Sequence, residues 1–149
     1  MITNARQHRV TKTEIARFEE ALASVDEEQK HLHPRLRQAM RDGFESQIEE
    51  LREQMAAYEA LRAGKVSVLQ LDSLDSLPDA LVRARIAVRL TQRQLAERLG
   101  LKEQQIQRYE TTRYAGVGFD RLRKIATALG VTTRGQVMLP KTKRMRPVA

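Results

Sequence analysis

The chain has 149 residues, 27 of them basic and 19 acidic, for a net charge of +8, and it has no cysteine. That length allows one or two small domains around a modest core, and the missing cysteines exclude disulfides and cysteine-based zinc sites and suit a reducing compartment. No stretch reaches the roughly 18 apolar residues of a membrane span, and the start lacks the apolar centre of a signal peptide, so a soluble, cytoplasmic protein with no membrane partner is expected.

The charge is unevenly placed. Residues 1–64 hold ten basic and twelve acidic side chains, a net of −2, whereas residues 65–149 hold 17 and 7, a net of +10. A local excess of that size favours a polyanion, because neutralising phosphates releases condensed counterions.

Met1 to Val10 is polar and reads as irregular, either a frayed end or an extended arm. Thr11 and Glu14 have the spacing of a capping box, which predicts a helix from that point, with Ile15, Phe18, Leu22 and Val25 forming one apolar stripe. Asp26 to His33 is a charged connection. Pro34 suits the first turn of a second helix, since its missing amide hydrogen is of no consequence there. That helix runs to about Ala63, with Phe44, Ile48, Leu51, Met55 and Tyr58 spaced as a near-heptad seam. The two stripes predict a helical hairpin over residues 1–64, whose seam closes within the chain or pairs with another copy or a different protein.

Residues 65–78 read as a connecting segment. Val66 to Leu71 alternates weakly like a strand, and Asp72 to Pro78 has turn character. A second helical domain is expected over 79–139, followed by a basic tail over 140–149. Its first helix opens at Asp79, with Leu81, Val82, Ile86 and Leu90 inward and Arg83, Arg85 and Arg89 outward, where they touch phosphate or simply solvate the helix.

The most informative stretch follows. Thr91 is an N-cap for a short helix carrying Leu95 and Leu99, and Gly100 ends it by taking positive φ without steric cost. Leu101, Ile106 and Tyr109 then mark a second short helix, and Ala96 is small enough for the two to cross closely. Two helices joined by a tight glycine turn make a helix-turn-helix. Phe119, Leu122, Ile125 and Leu129 stripe a further helix closed by Gly130. Thr132 to Leu139 adds a short helix or strand.

The residues L-T-Q-R-Q-L-A-E-R-L-G, then I-Q-R-Y-E, then R-L-R-K-I-A-T-A-L-G-V, resemble the Xre/Cro-type helix-turn-helix family of bacterial and phage regulators over about Leu77 to Val131. The resemblance implies a compact domain of four or five helices that puts the second motif helix into the DNA major groove. With the hairpin, the fold class is all-α. It also implies that Gln92 anchors the DNA backbone, that Lys102, Glu103, Gln104, Gln107 and Arg108 face base edges, and that Thr112, Arg113 and Tyr114 grip the backbone. Gln104 and Gln107 are the best base readers, since glutamine pairs with adenine through two bonds. Lys102 departs from the Ser or Thr usual at its position and weakens the cap. Glu103 repels phosphate unless it reads a cytosine or pairs with Lys102.

No nucleophile motif or phosphate loop is present, and His31-x-His33 lacks a third ligand at a fixed spacing, so no enzyme activity, cofactor or metal is expected. Two functions fit. One is a repressor that binds double-stranded DNA as a homodimer on a palindromic operator. The other is an antitoxin whose acidic hairpin neutralises a protein toxin while the basic half represses the operon.

Overall fold

The computed structural model describes residues 1–140; the rest of the expected basic tail, from Lys141 onward, lies outside the described residues. The fold is all-helical. The elements are α1 (Ala5–Glu28), α2 (Pro34–Arg62), a short 3-10 turn at Leu74–Ser76, α3 (Leu77–Ala87), α4 (Gln92–Leu99), α5 (Glu103–Thr111) and α6 (Phe119–Leu129).

Helix α1 starts six residues before the expected Thr11 cap. Asn4 has extended backbone, and its side-chain oxygen accepts from the Gln7 amide at 2.9 Å while the Gln7 side chain accepts from the Thr3 amide at 2.8 Å. One orphan amide of the first turn, that of Gln7, and the Thr3 amide just before the cap are thereby satisfied, so Thr11 lies inside the helix and is buried. Only Met1 to Asn4 remains outside it, and this is no loose arm, because Ile2 is 4% exposed. At the far end of the hairpin, His33 caps α2 by accepting from the Arg35 amide through Nδ1.

The α1 and α2 stripes meet each other. Ile15, Val25 and Ile48 are buried, and the Phe18 and Phe44 rings lie 6.0 Å apart. Arg41 pairs with Asp26, Arg52 with Glu19, and His8 with Glu59 at 2.8 Å, which sets the antiparallel register from the turn to the open end. The two stripes thus face each other, with Phe44, Leu51 and Met55 left half-buried along the seam.

The second core belongs to α3–α6. Its four most deeply buried large side chains are Leu81, Leu95, Ile106 and Ile125, one from each helix. Gly100 has φ of 66°, and the Leu101 amide closes back on the Ala96 carbonyl at 2.9 Å, so the chain reverses within one residue. Ala96 itself is fully enclosed at the crossing. The core does not stop at the boundary expected at residue 64. Ile2, Tyr58 and Leu61 from the open end of the hairpin join it, each burial worth about 1.5–3 kcal/mol.

Three expected elements differ. Val66 to Leu71 forms no strand; the described residues contain no second strand to satisfy its backbone groups, and Val66 instead packs on the core while Val68 stays exposed. Helix α3 opens at Leu77 rather than Asp79, because Pro78 is accommodated in the first turn and Asp79 then sits where the helix dipole favours a carboxylate. Thr132 to Leu139 has neither helix nor strand.

Candidate nucleic-acid interface

Helix α5 is two-faced. Ile106 and Glu110 are buried and Gln105 and Tyr109 half-buried, whereas Lys102, Glu103, Gln104, Gln107 and Arg108 are all exposed at its N-terminal half. The spacing of 106 and 110 puts the anchored residues on one stripe and turns the others to solvent. Lys102 gives no side-chain cap; its own amide donates to Gln105 Oε1 at 3.1 Å, so Gln105 is the polar residue that ties the helix start. Glu103 accepts from Gln107 Nε2 at 3.2 Å, one turn on, and not from Lys102. Gln104, Lys102 and Arg108 have no side-chain bond to another described residue and stand free to meet a ligand.

What holds α5 in place is a buried charge pair. The Arg85 guanidinium is 3% exposed, so the expectation that it faces outward is corrected. It donates to Glu110 through Nε at 2.5 Å and Nη2 at 2.8 Å, to the Leu90 carbonyl at 2.9 Å and to the Thr3 carbonyl at 2.8 Å. Glu110 also accepts from Gln92 Nε2 at 2.7 Å. One carboxylate thereby links α3, α4 and α5. The fork geometry of arginine matches a carboxylate, and the remaining donors find carbonyls, as a buried pair requires. In the sequence the Arg85–Glu110 pair leaves no local mark beyond Glu110 falling four residues after Ile106.

Gln92 is therefore half-buried at the start of α4, its amide nitrogen engaged with Glu110. Helix α4 is capped by Thr91, which accepts from the Gln94 amide at 3.1 Å while Gln94 returns the bond at 2.9 Å.

Past α5 the backbone turns sharply. Arg113 and Tyr114 have φ of 51° and 57°, left-handed values that side chains rarely adopt, and the Tyr114 amide bonds the Tyr109 carbonyl at 2.6 Å. This geometry swings the Tyr114 ring inward, where it is 4% exposed and 6.0 Å from the Tyr109 ring. Tyr114 cannot grip a DNA backbone from there, and that expectation is corrected. Its hydroxyl has no partner among the described residues, and burial above all, then the Glu110 charge, holds its pKa above the ordinary value, with Arg85 opposing. Arg113 is exposed and pairs with Asp79 at 2.8 Å, while the Thr112 hydroxyl turns back to the Arg108 carbonyl at 2.9 Å.

A groove of about 970 Å³ opens beside this face. One wall is the start of α1, including Arg6 and Val10. The other is made by Arg89, Thr91, Gln92, Glu103 and Gln107.

A small helix capped at Thr91, a short turn through Gly100 to Lys102 and a second helix anchored by its inner stripe make a helix-turn-helix. Residues 81–136 match the family model for helix-turn-helix domains. Over that segment the chain is similar to the Xre/Cro-type helix-turn-helix family. No curated protein and no solved structure matches the chain. The helix-turn-helix family is one of DNA-binding domains, and among the described residues no helix is long and apolar enough to cross a membrane.

Proposed function

We propose that the chain is a sequence-specific transcriptional regulator, a repressor that binds a palindromic operator as a two-fold dimer. The observation that carries this is the divided surface of α5: Ile106 and Glu110 lock one side, and Lys102, Gln104, Gln107 and Arg108 stand exposed on the other. Gln104 and Gln107 read adenine, Lys102 and Arg108 reach guanine or phosphate, and Glu103, held by Gln107, accepts from cytosine. Gln92 and Arg113 position the domain on the backbone, and Thr112 lies beside them. One short helix touches few base pairs, so a dimer with half-sites about one helical turn apart supplies the remaining selectivity.

The test is selection of bound sequences from a random duplex pool. Two related half-sites in opposite orientation are the expected outcome; a pool with no enriched sequence would contradict it. Gln104→Ala with Gln107→Ala should erase the enrichment while leaving general DNA affinity within a few-fold.

The antitoxin reading has one observation in its favour. The outer face of α2 presents Glu45, Glu49 and Glu53 to solvent, an acidic strip suited to a basic protein partner. A repressor that works alone has no need of it.

A further inference from the structure

The hairpin has a polarity that the repressor reading leaves unused. Residues 1–12 and 55–64, which lie side by side at one end, contain Arg6, Arg9, Lys12 and Arg62 against Glu59 alone, whereas residues 13–54 contain six basic and eleven acidic side chains. Net positive charge is therefore gathered at the end of the hairpin that touches the helix-turn-helix domain, and net negative charge at the rest. That end is fixed in place. Ile2 is buried in the domain's core, and the Thr3 carbonyl accepts from Arg85, the same guanidinium that anchors α5 through Glu110.

The groove between α1 and the reading face carries the consequence. Arg6, Arg62 and Arg89 line it, and none of the three has a carboxylate partner among the described residues. Arg85 and Glu110 neutralise each other within it, which leaves Glu103 as the single acidic side chain against three cations. Arg9 is exposed one turn further along α1 from Arg6 and forms no side-chain bond to another described residue. Arg6 also lies in the first turn of α1, where the helix dipole disfavours a cation. Unpaired arginines held at such a place store attraction for an anion.

We infer that the start of α1 is a second DNA-binding element, in which Arg6 and Arg9 hold phosphates of the same duplex that α5 reads, beside the groove lined by Arg89 and Arg62. The inference rests on the DNA-binding reading above. The partner is a phosphodiester backbone, since the patch offers charge and donors while the aromatic ring that lines the groove, Tyr58, is buried and offers no face for stacking bases. Its effect is to extend the footprint of each subunit beyond the helix-turn-helix domain, with no new sequence preference. A rival role for the same segment is to shield α5 from DNA, and the two predict opposite changes.

The experiment is a salt titration of the full chain binding a labelled mixed-sequence duplex, followed by fluorescence anisotropy. Four proteins are compared: wild type, Arg6→Ala/Arg9→Ala, Arg35→Ala/Arg37→Ala, and Arg108→Ala. The second pair removes the same charge at the opposite end of the hairpin. None of these side chains makes a bond to another described residue, and unchanged thermal melts verify folding. Loss of Arg6 and Arg9 should weaken binding on the order of tenfold near physiological salt and lower the slope of log affinity against log salt by about one to two. The Arg35/Arg37 pair should keep the wild-type slope. Equal losses from both pairs, an unchanged slope, or tighter binding by Arg6→Ala/Arg9→Ala would overturn the inference, the last in favour of shielding. Were Arg108→Ala alone to weaken binding, the DNA-binding reading would stand and the inference would fall. Absence of binding by the wild type at low salt would overturn both.

Discussion

The hairpin and the helix-turn-helix domain are held together by different means. In the hairpin the tightest apolar contacts are Val25 and Ile48 on a thin seam, and the ion pairs that set its register, such as Arg52 with Glu19, are open to solvent. In the domain, four large side chains are fully enclosed, and one charge pair, Arg85 with Glu110, is buried with them while the others, such as Arg113 with Asp79, stay exposed. Burial rather than the number of ion pairs separates the two. Exposed pairs are weakened by water and salt and choose a register, whereas an enclosed pair is intolerant of losing either member.

The largest effect that sharpens this contrast is at Glu110. Glu110→Ala leaves Arg85 buried without its partner and should cost about 3–5 kcal/mol, read as a lowered midpoint in denaturant unfolding. A loss below 1 kcal/mol would mean that water reaches the guanidinium and that the pair is not the domain's anchor.

A smaller effect of opposite sign is expected at Tyr114. Its unpartnered hydroxyl is a liability of the same enclosure, so Tyr114→Phe should stabilise the domain by up to about 1 kcal/mol at neutral pH. The pH dependence has a definite sign. Burial holds the folded pKa above the ordinary value of 10.0, so the stability tied to this phenol is fully present below pH 10.0 and is lost as pH rises and the unfolded chain ionises. The gain from Tyr114→Phe should therefore widen in alkaline unfolding experiments. A phenylalanine variant less stable than wild type would show that the hydroxyl is solvated after all.

The smallest effect belongs to the hairpin. Arg52→Ala removes an exposed pair with Glu19 and should change stability by less than about 1 kcal/mol, and by less still in high salt. A cost approaching that of Glu110→Ala would erase the distinction between the two regions.

The same distinction explains what could be read from the sequence. The α4–turn–α5 unit was legible because its signals are local: the Thr91 cap, the left-handed Gly100 and a stripe through Leu95, Leu99 and Ile106. The start of α1 was not, because Asn4 and Thr11 are both competent caps, and the choice between them depends on Ile2 reaching a core that residues far along the chain build. Arg85 and Glu110 look like surface charges until they meet across three helices. Tyr114 was misplaced for a related reason. Arginine and tyrosine rarely take positive φ, so nothing in their types announces the turn that points the ring inward. The exposed residues of α5 could be named in advance because helical periodicity turns them outward once Ile106 is placed. Which of them touch bases is a property of the complex.

The most direct test of DNA reading by α5 is to follow backbone amide chemical shifts of the full chain by NMR as duplex DNA is added. The predicted result is perturbation concentrated at Gln92, at Lys102 to Arg108 and in the first turns of α1 around Arg6 and Arg9, with the hairpin turn near His33 unaffected. Perturbation confined to the acidic outer face of α2, or none at α5, would contradict it.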